Sequence, residues 1–500
     1  MPKSSGNKSD QSQPIQSLPE KPSLENLRKQ AKTLFKAARL DDEAALVQLR
    51  AFHPAWESRS EFSLSDAQLV IARRYGFPSW SKLKQHVEVL EFWSLPDELK
   101  AVDDSSSPVD RFISLACLNY TNDDAARRVR ARELLVANPA LAQENIYAAA
   151  TVGDAAVVDE MFRRDPSLAN RRGGPYNWAP LLYATYSRLN SEATGHSTLE
   201  VVKLLLKHGA DPNAGFLWDR NYLFTALTGA FGEGEMGQIN QPEHQYCYDV
   251  ARSLLEAGAD PNDGQTLYNR MFTGGVRHLK LLFEFGLGKK SNGVWFKRLG
   301  DQLVSPTEML QQLLGWSAKY NHIERLKLLV EQGVDVNRAD SRLKQLPYEL
   351  ALVNGNRESA DYLLNHGATK TSLSEVKQFA VACMSADESQ VRTLLAKDPT
   401  LIRQLGFQRI ELLSRAAEAD KRDAIRLMHS LGFDLNERRR TTPIQLAAAS
   451  GHLEMVKLMI ELGADPMIRD AEFNGTALGW ANYSRKTEVC EFLISLGCTY

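Results

Sequence analysis

Thr442-Pro-Ile-Gln-Leu-Ala-Ala-Ala-Ser-Gly451-His-Leu-Glu-Met-Val-Lys-Leu-Met-Ile-Glu-Leu-Gly463-Ala-Asp-Pro466 is the stretch that decides the fold. Thr442 can cap free helix amides, and Pro443 suits the first helical position, where its missing N–H leaves nothing unpaired. Leu446, Ala447 and Ala448 keep that first helix slim, so a neighbour stacks closely. Gly451-His452 turns the chain, and Leu453, Val456, Leu458, Met459 and Leu462 build a second helix with one apolar face. Gly463 ends it, because glycine adopts φ > 0 without the clash a Cβ would bring, and Ala464-Asp465-Pro466 opens a turn. One such hairpin cannot bury its own apolar face. It needs a neighbour on each side.

The neighbours are in the sequence. Gly209-Ala-Asp-Pro-Asn213 recurs as Gly258-Ala-Asp-Pro-Asn262, with looser copies at Gly333-Val-Asp-Val-Asn337, Gly432-Phe-Asp-Leu-Asn436 and Gly463-Ala-Asp-Pro-Met467. Gly367-Ala-Thr and Gly497-Cys-Thr continue the series, and the last two glycine-to-glycine steps are 31 and 34 residues. Each copy follows a helix such as Val201-Val-Lys-Leu-Leu-Leu-Lys-His208. This pattern resembles the ankyrin-repeat family, whose period is about 33 residues, over roughly Asn145 to Tyr500. The resemblance implies an all-α solenoid that binds a macromolecular partner through its concave face and turns, with no cofactor. The family's threonine-proline-leucine-histidine opening stands here as Thr442-Pro-Ile-Gln445, Ala179-Pro-Leu-Leu182 and Leu346-Pro-Tyr-Glu349, so the histidine's bonds between repeats must be replaced or lost. Residues 264–305 match poorly, as does 371–405, where Ala396-Lys-Asp-Pro399 echoes Arg164-Asp-Pro-Ser-Leu168. About ten or eleven stacked hairpins are expected from Asp110 onward.

Residues 1–21 are polar and Pro/Ser-rich, and read as a disordered tail. From residue 22 to 95 a small helical domain is expected. Leu24, Leu27, Ala31, Leu34 and Phe35 mark one helix and Ala44 to Leu49 a second. A third is capped by Ser65 and stopped by Gly76, and a fourth is opened by Ser79. Leu64 through Trp80 resembles a module found at the N-terminus of bacterial ankyrin proteins. Residues 96–109, with Asp103-Asp-Ser-Ser-Ser-Pro108, read as a linker before the array at 110–500.

Composition narrows the function. Sixty basic against sixty-two acidic residues give a net charge of −2, no footprint for nucleic acid. The five cysteines are scattered and form no CxxC pair, which suits a reducing, cytoplasmic setting. No apolar run suits a signal peptide or a membrane span. Gly232-Glu-Gly-Glu-Met-Gly237 matches GxGxxG, but a repeat helix precedes it and two glutamates would repel phosphate, so it reads as a flexible loop. His196, His208, His366 and His452 fall at repeat ends and turns, too far apart to converge on a metal. No catalytic constellation is present, and the chain reads as a monomeric binding protein for a protein partner. Two rivals stay open: an exported effector that captures a host protein, and an enzyme with an unrecognised site in the N-terminal domain or the insertions.

The expected partner surface follows from an irregularity. Pro443 to Gly463 takes 20 residues, but Pro180 to Gly209 takes 29 and Ala226 to Gly258 takes 32. Insertions at about 187–198 and 231–246 should therefore lie side by side. Residues 176–248 carry 11 aromatics in 73 positions, about 15% against 8% overall. About half should fill the core. The expected partner contacts are Phe216, Leu217 and Trp218 in an exposed turn, with Tyr186, Phe231 and Tyr246 at the insertions. Arg438, Arg439 and Arg440, in a turn the ankyrin fold exposes, complete the set. No catalytic or metal-binding residue is expected.

Overall fold

The computed structural model describes residues 14–19, 21–56, 61–94, 107–189, 196–289 and 293–500. Four helices come first: α1 (Leu24–Ala38), α2 (Glu43–Phe52), α3 (Leu64–Arg74) and α4 (Trp80–Trp93). Their N-caps are Ser23, Asp42, Ser63 and Ser79. The expected cap of α3, Ser65, is displaced by Ser63, whose backbone N–H donates to Asp66 at 2.9 Å while its hydroxyl accepts from the Asp66 N–H. That reciprocal pair satisfies two end groups at once. Leu27, Ala31, Leu49, Val70, Leu83 and Val87 close a core of their own. Part of the expected tail is packed against it. The Gln16 N–H donates to the Arg74 carbonyl at 2.8 Å, and Leu18 lies against the same core. Two hydrogen bonds and one apolar anchor offset the ordering entropy that the composition alone suggested would win. Most of the expected linker lies outside the described residues; Ser107 ends it by capping the helix Pro108–Ala116.

Among the described residues eleven helical hairpins follow, in two compact units. The first unit comprises the residues to Phe272 with 277–306, and the second comprises 273–276 with 307–500. The poorly matching 264–305 still makes a hairpin, Gly264–Asn269 with Arg277–Glu284, followed by the helix Val294–Leu299. In the second unit the first helices Gln408–Glu418, Pro443–Ser450 and Ala477–Tyr483 stack in a row, burying Ala416, Ala447, Ala448 and Ala477 completely. The slim helix does what its alanines suggest.

Two polar devices hold the spacing. The asparagine that ends each Gly-Ala-Asp-Pro-Asn copy bridges to the next turn with both amide atoms. Asn213 donates to the Gly258 carbonyl at 3.0 Å and accepts from the Asp260 N–H at 2.9 Å. Asn170, Asn262, Asn337 and Asn436 make the same pair of bonds one hairpin on. The missing histidine is replaced. Gln445 accepts from the Thr442 N–H at 2.7 Å and donates to the carbonyls of Ile468 and Gly475 at 2.8 and 2.9 Å. Gln311 does the same toward Asp335 and Arg338.

One element was not expected. Strands β1 (Gly215–Trp218) and β2 (Tyr222–Thr225) form an antiparallel hairpin, with Phe216 opposite Phe224 and Trp218 opposite Tyr222. Asp219 and Arg220 at its tip both take left-handed φ, 47° and 60°, the pairing that matches the twist of a tight hairpin.

Candidate functional site

The expected partner surface in the first unit is sealed by the chain itself. Every residue of the first helices Pro180–Tyr186 and Ala226–Phe231 is buried. The segment after Ala116 runs antiparallel to the start of the first insertion: the Leu118 N–H donates to the Tyr186 carbonyl at 3.0 Å, and the Arg188 N–H to the Ala116 carbonyl at 2.8 Å. Beneath them Arg188, 1% exposed, spreads its guanidinium over the carbonyls of Thr185, Ser187, Gly229 and Pro242 at 2.6–3.0 Å. The carbonyls of Thr185, Ser187 and Gly229 lie at the ends of two helices, where partial negative charge favours a cation.

The two insertions do touch, through Arg188 with Pro242 and through Thr198 with His244 at 2.9 Å. Residues 190–195 lie outside the described set. His244 is buried, and desolvation, then the charge of Arg188, pulls its pKa down to about 3. It is therefore neutral. Its Nδ1 accepts from the Tyr246 N–H, which leaves Nε2–H to donate to Thr198.

Four expected contact residues are corrected accordingly. Tyr186, Phe216 and Phe231 are 0% exposed and Leu217 is 1% exposed, so none presents a surface to a partner. The physical reason is the hairpin. As a strand, β1 places Phe216 on Trp178, ring centroids 4.5 Å apart, where an exposed turn was expected. Trp218 is half-buried and its indole donates to Thr121 at 3.2 Å. Tyr246 is half-buried as well. The GxGxxG loop is packed: Glu233 is 2% exposed and pairs with Arg270 at 2.7 Å, and a helix precedes the motif. Histidines serve locally. His208 stacks on Phe162, His366 on Tyr362, and His452 donates to the Glu418 carbonyl of the preceding hairpin.

The second unit is open where the first is closed. Arg438, Arg439 and Arg440 are exposed on the turn between hairpins. Arg439 reaches Glu411 at 3.1 Å, while Arg440 pairs with Glu472 and lies 5.8 Å from the centre of the Phe473 ring. Phe473, 64% exposed, meets Trp480 edge-on at 6.0 Å. Trp480 is fixed by its indole N–H, which donates to Asp470 at 3.0 Å. Burial would raise the Asp470 carboxyl, but the N–H groups of Phe473, Glu472 and Gly475 and the Trp480 indole hold it below the usual range. From Glu411 the same helix face leads to Arg415 and Glu418. Arg415 lies over the Tyr320 ring at 3.8 Å, Tyr320 stacks on Trp316 at 4.1 Å, and Arg342 lies 5.7 Å from Trp316. The result is one continuous belt of arginines and aromatic rings.

The sequence reading found three members of the belt and missed Trp316, Tyr320, Arg342, Arg415, Phe473 and Trp480. A signal was present. Leu314-Gly-Trp316 and Leu478-Gly-Trp480 repeat one tripeptide in two first helices of the second unit. Trp480 stands among small residues, Ala477, Gly479 and Ala481, where stacking does not call for a tryptophan.

Comparison with known proteins finds the repeat itself. A family model described as ankyrin repeats in three copies matches residues 379–470 and 413–500, and the single ankyrin repeat matches 176–215. The chain is 27% identical over 161 residues to the ankyrin repeat and KH domain-containing protein mask-1 of Caenorhabditis elegans, 31% of this chain and 6% of that protein. It is 27% identical over 155 residues to the ankyrin repeat and SAM domain-containing protein 6 of Rattus norvegicus, 31% of this chain and 14% of the relative. The mouse protein of that name gives 27% over 157 residues and 15% of its length. The chain thus spans well under a fifth of each of these relatives. Ankyrin repeats are present in both units, and the chain is built as an all-α solenoid of ankyrin-like hairpins.

Proposed function

We propose that this protein is an adaptor that binds a protein partner through the second unit, with the Arg–aromatic belt as its contact surface, and that it does so as a monomer without a cofactor. The belt carries the reading. Tryptophan, tyrosine and arginine are the residues over-represented where truncation costs an interface most, and here they form two runs of contact, Arg342–Trp316–Tyr320–Arg415 and Arg440–Phe473–Trp480, joined by the pair of Arg439 with Glu411 on the helix of Arg415. The first unit supports the assignment from the other side, because every residue of its first helices Pro180–Tyr186 and Ala226–Phe231 is buried against the chain itself. Five free cysteines, three of them buried, support a reducing cytoplasmic setting.

A photo-crosslinker placed at Arg439 tests the proposal against one placed at Thr393, which is exposed on a second helix of the same unit. The expected result in native lysate is a discrete adduct from position 439 that disappears when Trp480→Ala is added, and none from position 393. Equal adducts from both positions would remove the belt from the account.

A further inference from the structure

We infer that the belt takes an extended acidic peptide segment, with a carboxylate at about every third residue; the inference rests on the belt being the partner surface. The first support is charge. Lys319, Arg342, Arg415, Arg438, Arg439 and Arg440 line the belt, against three exposed or half-exposed carboxylates, Glu411, Glu418 and Glu472. Asp470 and Asp340 are 4% and 3% exposed and committed to their own turns, Asp470 also to Trp480. On the hairpins in between, Glu349 and Glu375 are matched by Lys377 and Lys397. The belt therefore carries an excess of cation while the chain as a whole is at −2.

The second support is availability. Arg439 and Arg440 are 72% and 61% exposed at the side chain, so their present pairs are solvent-screened and add little. A carboxylate that met either guanidinium in a fork, with both oxygens accepting, would gain more than the exposed pair it replaced. No ion pair is made by Arg438 among the described residues. Lys319 is held below its usual pKa by burial and then by Arg415, so an added negative charge beside it would be favoured.

The third support is spacing. From the hairpin of Arg415 to that of Trp480 the first helices stack consecutively, about 10 Å apart, and an extended chain rises about 3.3 Å per residue, so about three peptide residues pass each of these hairpins. Aromatic or aliphatic side chains between the carboxylates would meet Phe473, the one ring of the belt with most of its surface open.

Single-stranded nucleic acid is the rival for any surface of arginines and rings. It needs ring faces on which bases stack. Here Tyr320 is covered on one side by Trp316 and on the other by Arg415, and Trp480 lies under the edge of Phe473. Three carboxylates along the track would also repel a phosphate backbone.

The test is fluorescence anisotropy with the full chain and four labelled probes. These are a peptide with Glu or Asp at every third residue and Leu or Tyr between, its isomer with all acids at one end, its lysine counterpart, and a uridine oligonucleotide. The expected order places the spaced acidic peptide first, with affinity that weakens about tenfold or more when Arg438, Arg439 and Arg440 are all changed to Glu. Circular dichroism of that variant checks its fold, and Arg342→Glu, at the far end of the belt, gives an independent variant with the same expected direction. Binding of the spaced peptide that is unchanged in both variants overturns the inference. So does equal binding of the isomer or the lysine peptide, or tighter binding of the oligonucleotide. If crosslinking at Arg439 still captures a partner while the acidic peptide fails, the inference falls and the partner surface stands. If position 439 captures no more than position 393, the surface itself falls.

Discussion

Arg188 is a charge committed to the interior. Its guanidinium meets carbonyls at every donor described, and no carboxylate is paired with it among the described residues. Lysine cannot reproduce that fork, because an ammonium is a compact donor on a flexible stem. Arg188→Lys should therefore destabilise the first unit by at least about 3 kcal/mol, since several buried carbonyls lose a charged donor at once. Urea unfolding followed by tryptophan fluorescence measures it, and a loss below about 1 kcal/mol would show that water replaces the guanidinium.

His244 gives a pH signature with a definite sign. Its folded pKa, about 3, is below the ordinary histidine value of 6.5, so between those values the unfolded chain takes up a proton and the folded chain does not. Stability must then fall as pH drops, by about 2 kcal/mol at pH 5. His244→Asn should remove that part of the pH dependence when unfolding is compared at pH 7 and pH 5. Equal slopes for the two proteins would mean that His244 gains its proton without unfolding.

At the scale of elements, the hairpin β1–β2 decides what the aromatic excess is for. Trp218 sits half-buried between Thr121, Tyr222 and Phe224, held by its own chain. Trp218→Ala should therefore cost stability, about 1–3 kcal/mol for a partly buried large side chain. Crosslinking at Arg439 should be unaffected. A variant that melts like the parent but loses partner capture would reverse this assignment.

The same element shows what was legible beforehand. Gly463 and Gly451 were readable as turn residues because a left-handed φ, 94° and 83°, is a local demand that sequence records locally. The asparagine rungs were not read beforehand, because their partners lie one hairpin on. Insertion lengths told where the chain leaves the repeat, and that the two insertions meet. They did not tell that the segment after Ala116 returns to pair with Tyr186 and Arg188, because that pairing joins residues far apart in sequence. Phe216 looked like a turn aromatic for a different, local reason. Its strand partner, Phe224, is only apparent once the tip at Asp219-Arg220 is seen to be left-handed.

Across the molecule, the two units use one hairpin for different ends. In the first, added segments fill the first-helix face and turn polar groups inward, as Arg188, His244 and Glu233 show. In the second, the first helices keep the plain repeat and carry the Leu-Gly-Trp exceptions that build the belt. A closed face and an open face are a difference in side-chain accessibility, which hydroxyl-radical footprinting of the full chain reads directly. Phe473 and Tyr483 should oxidise rapidly, while Tyr186, Phe216 and Phe231 should be protected to near the level of the core. Comparable oxidation of the two sets would contradict the account, since it would mean that the first unit's face is open to solvent and to partners after all.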